Sequence, residues 1–64
     1  MEEDNLLEEA IRIARVEGKI RVTILQLKLK LGYNRAGKIM KQIEERGLLV
    51  DGKKGEYWYD RTIS

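Results

Sequence analysis

Sixty-four residues make one small domain, of a size that buries only roughly 60% of the surface its unfolded chain exposes. With no cysteine and no histidine, disulfides, thiolate metal sites and the commonest general base are all excluded. No apolar run approaches the ~20 residues of a membrane span, and the acidic start is unlike a secretory or transit signal. These features point to a cytoplasmic chain with no membrane partner. The net charge of +2 hides an uneven distribution. Residues 1–17 hold six acids against Arg12 and Arg15, residues 18–43 hold seven bases and no acid, and residues 44–64 are nearly balanced. A central stretch of one sign suggests a polyanionic partner. The Lys, Glu and Arg usage is that of a thermophile surface.

Asn5 and Glu8 have capping-box spacing. Behind them Leu6, Leu7, Ala10, Ile11, Ile13 and Ala14 recur on one side at helical spacing, which predicts a first helix over 5–17, stopped by Gly18. Lys19-Ile20-Arg21-Val22 alternates as a brief strand. Thr23 and Gln26 form a second capping box and predict a helix over 24–30. Its dense leucines also fit an alternating strand, but the cap and the helix-forming Lys and Gln favour helix. Gly32 breaks the chain, and a third helix is predicted over 34–46 with Asn34 at its cap and Gly47 as its stop. Leu48-Leu49-Val50, the turn 51–55 and the returning strand 56–60 predict a hairpin over 48–60. Three helices and a C-terminal hairpin make a small α+β domain, mostly α. This is the layout of a winged helix-turn-helix, with 1–64 as a single domain.

On the third helix Ala36, Ile39, Met40 and Ile43 fall on one side. Asn34, Lys38, Lys41 and Glu45 fall opposite, with Arg35 and Gln42 on the shoulder. Asn bonds adenine through two atoms, Arg or Lys bonds guanine, and lysine equally suits phosphate. The predicted DNA-binding set is therefore Asn34, Arg35, Lys38, Lys41 and Gln42, joined by Lys28 on the second helix and by Lys53 and Lys54 at the hairpin tip. Asn34 has two competing roles, base contact and helix cap. Gly37 sits between the faces, allowing a close approach either to another helix or to a phosphate. Tyr57, Trp58 and Tyr59 alternate, with one side completing the core and the other available to a dimer or protein partner. No cofactor or metal site and no catalytic group is indicated.

The run Leu31-Gly32-Tyr33-Asn34-Arg35-Ala36, followed by Ile39, Met40, Gln42, Ile43, Glu44 and Gly47-Leu48, resembles the C-terminal γ domain of FtsK/SpoIIIE-type DNA translocases. The likeness covers residues 6 to about 50. It implies a winged helix that reads short polar DNA motifs and contacts a recombinase. The sequence departs from that pattern where Lys38 stands for a usual Arg, Lys41 for a usual Glu and Gly37 for a usual Ala. It also lacks the phosphate loop of a motor. Met1 and the acidic start favour a small stand-alone regulator of transcription, of plasmid, phage or viral type, associated with the nucleoid. The expected function is sequence-specific binding of double-stranded DNA, the third helix in the major groove and the wing on flanking backbone, with a homodimer as one assembly. The alternative is a protein-interaction winged helix without strong DNA specificity, and an enzyme is not expected.

Overall fold

The computed structural model describes residues 4–64, so the acidic start at Glu2 and Glu3 lies outside the described residues. Helix α1 spans Leu7–Glu17, α2 Val22–Leu29 and α3 Tyr33–Glu45. The chain is mostly helical, with little strand. No helix among the described residues is long and apolar enough to cross a membrane.

The apolar stripe of α1 buries Leu7, Ala10, Ile11 and Ala14 against Ile20, Val22 and Leu25 and against Ala36, Ile39, Met40 and Ile43 of α3. Full burial of each large aliphatic side chain contributes about 1.5–3 kcal/mol, so three short helices hold together through one shared core. Gly18 takes the left-handed conformation at φ 79° and donates its N–H to the Ala14 carbonyl at 2.8 Å, ending α1 as the sequence predicts.

The helix starts differ from the sequence expectation at all three places. Asn5 does not cap α1, whose cap position is Leu6. The Asn5 Oδ1 accepts instead from Arg35 Nη2 at 3.0 Å, and a charged donor outcompetes a neutral amide. Thr23 lies inside α2 rather than before it. The helix begins at Val22 because the Val22 N–H is taken by the Tyr57 carbonyl at 2.9 Å, while the Arg21 carbonyl accepts from Ile24 and Leu25. A distant segment thus does what a local side chain was expected to do. Asn34 is not a cap either. The cap position is Gly32, in extended backbone, and Asn34 is the second residue of α3.

The extended segments are also placed differently. The expected strand 19–22 contributes a single antiparallel bridge, Ile20 to Arg61, and Leu49 pairs with Ile63. The arm returning to Leu48–Val50 is therefore 61–63, with Val50 N–H donating to Thr62 at 3.1 Å and Ser64 N–H to Leu48 at 2.8 Å. The expected return at 56–60 is part of a long connection. Its shape is set by the guanidinium of Arg61, a residue only 3% exposed. Arg61 donates to the carbonyls of Asp51 at 2.7 Å, Lys53 at 3.1 Å and Glu56 at 2.7 Å.

Candidate nucleic-acid interface

The outer side of α3 meets the connection 55–58 across a cleft of about 420 Å³, lined by Tyr33, Asn34, Lys38, Lys41, Tyr57 and Trp58. Periodicity fixes the α3 wall. With Ala36, Ile39, Met40 and Ile43 buried, residues 34, 38 and 41 lie on the opposite side of the helix. The facing wall is strapped down by Glu44. Its carboxylate accepts from the Tyr57 hydroxyl at 2.7 Å and from the Gly55 N–H at 3.1 and 3.2 Å, and it lies 3.6 Å from Arg61. Burial pushes the Glu44 carboxyl up, but these donors together outweigh it and leave it below its ordinary value. Burial and the bond to Glu44 push the Tyr57 hydroxyl well above its ordinary value. With Tyr57 fixed, Trp58 lies on Tyr33, ring centroids 5.1 Å apart and planes 23° from parallel. Both rings stay about half exposed.

The basic stretch 18–43 is largely neutralised by the fold. Lys19 and Arg21 lie 3.6 and 3.4 Å from Asp60, Lys28 lies 3.7 Å from Glu17, and Arg35 lies 2.8 Å from Asp4. Of its seven bases, Lys30, Lys38 and Lys41 are left without an ion pair among the described residues, and the latter two share the cleft. No acid lines it. Charge, diffuse in the sequence, is thereby focused on one side of α3.

The predicted site residues accordingly fall into four places. Asn34, Lys38 and Lys41 come together in the cleft. Arg35 and Gln42 are turned to the chain start. The Arg35 guanidinium grips Asp4 with two bonds of 2.8 and 2.9 Å, and the Asp4 N–H donates to Gln42 Oε1 at 3.1 Å. Those bonds from Arg35 hold the Asp4 carboxyl below its ordinary value, against a smaller upward push from burial. Lys28 belongs to the α1–α2 side, beside Glu17 and Arg12. Lys53 and Lys54 are exposed in the turn, with Lys54 facing a different cleft that also contains Glu44, Glu45 and Asp51.

The rings behave otherwise than strand alternation predicts. Tyr57 is partly buried, whereas Trp58 and Tyr59 are both exposed, so Trp58 does not complete the core. Gly37 lines the cleft, and a Cβ added there meets nothing within 4 Å. Its role is therefore not a close approach between helices. The roles of Asp4, Glu44 and Arg61 are not legible in the sequence, because their partners lie 31, 13 and 10 residues away and no local pattern marks those pairings. Among the described residues no cluster of acidic side chains suits a metal ion.

Comparison with known proteins gives a consistent answer. A family model, that of the Ftsk gamma domain, matches residues 1–56. The chain is 51% identical over 53 residues to a DNA translocase FtsK of Clostridium tetani, covering 80% of this chain and 7% of that protein. It is 42% identical over 55 residues to one of Caldanaerobacter subterraneus, covering 83% and 8%. It is 44% identical over 50 residues to one of Campylobacter jejuni, covering 78% and 5%. The chain thus spans less than a tenth of the length of these relatives. With the family model matched over most of its residues, this chain belongs to the Ftsk gamma domain family.

Proposed function

We propose that the chain binds double-stranded DNA, with α3 in the major groove. The observation that carries this is the side of α3 bearing Asn34, Lys38 and Lys41, exposed and cationic where it lines a cleft that no described acid enters. Asn34 lies in the first turn, where an inserted helix meets base edges. Since it does not cap α3, its amide is available to adenine. The turn between α2 and α3, at 30–32, and the paired arms 48–50 and 61–63 support a winged helix-turn-helix reading. In that reading the turn carrying Lys53 and Lys54 lies on flanking phosphate, and base contact by Asn34 makes the binding sequence-specific. Membership of a family whose relatives are named DNA translocases supports the same ligand. The expectation of a transcription regulator of phage, viral or thermophile type gains nothing from those names. The duplex reading assigns the chain to the nucleoid.

The test is anisotropy with a labelled duplex across a salt series. Binding is expected to weaken with a log–log slope of roughly −0.9 per phosphate neutralised. The double substitution Lys38→Glu and Lys41→Glu should abolish it while the helical signal is retained. Normal duplex binding by that variant would refute the assignment of the α3 face. Selection from random duplexes then tests specificity.

A protein-docking reading draws on Val16 and Leu27, 71% and 79% exposed. It predicts capture of a protein partner with no duplex shift at low salt.

A further inference from the structure

The aromatic pair beside α3 is not used by the duplex reading. Trp58 has one face on Tyr33 and is 54% exposed, while Tyr33 is 50% exposed. In an intact duplex the faces of the bases are covered by their neighbours, and only base edges are open in the grooves. An exposed pair of stacked rings has no base face to meet there. An unpaired base does offer such a face. Proteins that hold single strands combine aromatic rings with cations along the backbone path.

We propose that this cleft is a second ligand site, for single-stranded DNA. One unpaired base continues the Tyr33–Trp58 stack, and the adjoining phosphates lie on Lys38 and Lys41. Four features support this occupant. The rings are already stacked, so a third ring adds to an existing column without ordering a mobile side chain. The cleft holds two cations that have no ion-pair partner, and no acid, among the described residues, which complements a polyanion. Its volume of about 420 Å³ lies within the usual range of roughly 300–1,000 Å³ for small-ligand sites. The wall bearing Trp58 is fixed by the bonds of Glu44 to Tyr57 and Gly55, so the platform is preorganised. Trp58 also lies beyond residue 56, where the family match ends, so this aromatic wall extends past the matched domain. The inference shares Lys38 and Lys41 with the duplex reading and rests on it to that extent.

Trp58 is the sole tryptophan of the chain, and its fluorescence reports stacking directly. The probes are a twelve-nucleotide thymidine strand, an abasic strand of equal length and a duplex hairpin closed at both ends by base-free ethylene glycol linkers. The thymidine strand is expected to quench Trp58 saturably, and the abasic strand and the hairpin are not. Loss of one stacked base corresponds to about 1–3 kcal/mol. Trp58→Leu should therefore weaken thymidine-strand binding about 5- to 150-fold, with hairpin binding and circular dichroism unchanged. Trp58→Phe should recover most of the loss.

Equal affinity of the wild-type chain for the thymidine and abasic strands overturns the proposal, and needs no variant. So does undiminished thymidine-strand binding by Trp58→Leu, or quenching by the hairpin as strong as by the single strand. Failure of the wild-type chain to bind the hairpin, with thymidine quenching intact, strikes the duplex reading alone.

Discussion

Arg61 is the residue on which residues 51–64 converge. A guanidinium carries five N–H donors and no acceptor, so burial is tolerable only where oxygen atoms surround it. Here three backbone carbonyls and the carboxylates of Glu44 and Asp51 do so. The site is closely shaped. Gly52 holds φ at +72°, and a Cβ there would stand 2.5 Å from the Arg61 Nε. Substituting Arg61→Leu leaves those oxygens without their donor. Breaking a buried charged cluster from one side costs about 3–5 kcal/mol, comparable to the whole stability of a domain this small. Urea denaturation should show that loss. Arg61→Lys should recover little, because an ammonium cannot fork to carbonyls spread over several residues. Stability within about 1 kcal/mol of the parent for Arg61→Leu would contradict this account.

At the scale of elements, α3 separates what was legible in the sequence from what was not. Its buried side was readable, since Ala36, Ile39, Met40 and Ile43 obey the helical period and all four are buried. Its start was not. Asn34 has the chemistry of a cap, but Gly32 occupies that position, and Thr23 and Asn5 fail in the same way. At two of these starts a distant residue intervenes: Tyr57 completes α2, and Arg35 draws Asn5 away from α1. The grouping of Asn34, Lys38 and Lys41 was legible from spacing. The sequestering of Arg35, Gln42 and Lys28 was not, because ion pairing across the fold leaves no periodic trace. Neither was the return arm at 61–63, since the aromatic alternation of 57–59 imitates a strand that Arg61 overrules. Gly37 supplies the prediction at this level. Glycine inside a helix costs roughly 0.5–1 kcal/mol relative to alanine, and a methyl group there meets no neighbour. Gly37→Ala should therefore raise stability by that amount, seen as a melting temperature about 2–8 °C higher. A fall would mean that the helix is crowded there.

For the whole molecule, two titrations at opposite ends of the pH scale bound its stability. Asp4 and Glu44 have folded values below their ordinary 3.8 and 4.5, so the unfolded chain binds their protons more readily. Their contribution is complete above about 4.5 and is lost as pH falls through the lower folded values. Tyr57 runs the other way. Its hydroxyl stays protonated above its ordinary 10.0, so its contribution is complete below that pH and drains as pH rises toward the folded value. Denaturation across pH should thus give a plateau with an acid and an alkaline shoulder. Tyr57→Phe should remove its part of the alkaline shoulder. It should also move the acid shoulder upward, because Glu44 loses one of its donors. An unchanged alkaline limb in that variant would contradict the Tyr57–Glu44 bond. The position of Arg61 in the chain has a further consequence, for timing during synthesis. Helices α1 to α3 have all been synthesised before Arg61 is made, yet Ile20 and the carbonyls of Asp51 and Glu56 take their hydrogen bonds from that residue. A nascent chain halted after residue 56 therefore holds every helix without its latch. Protease protection of residues 51–56 should arrive in one late step, once Arg61 has emerged.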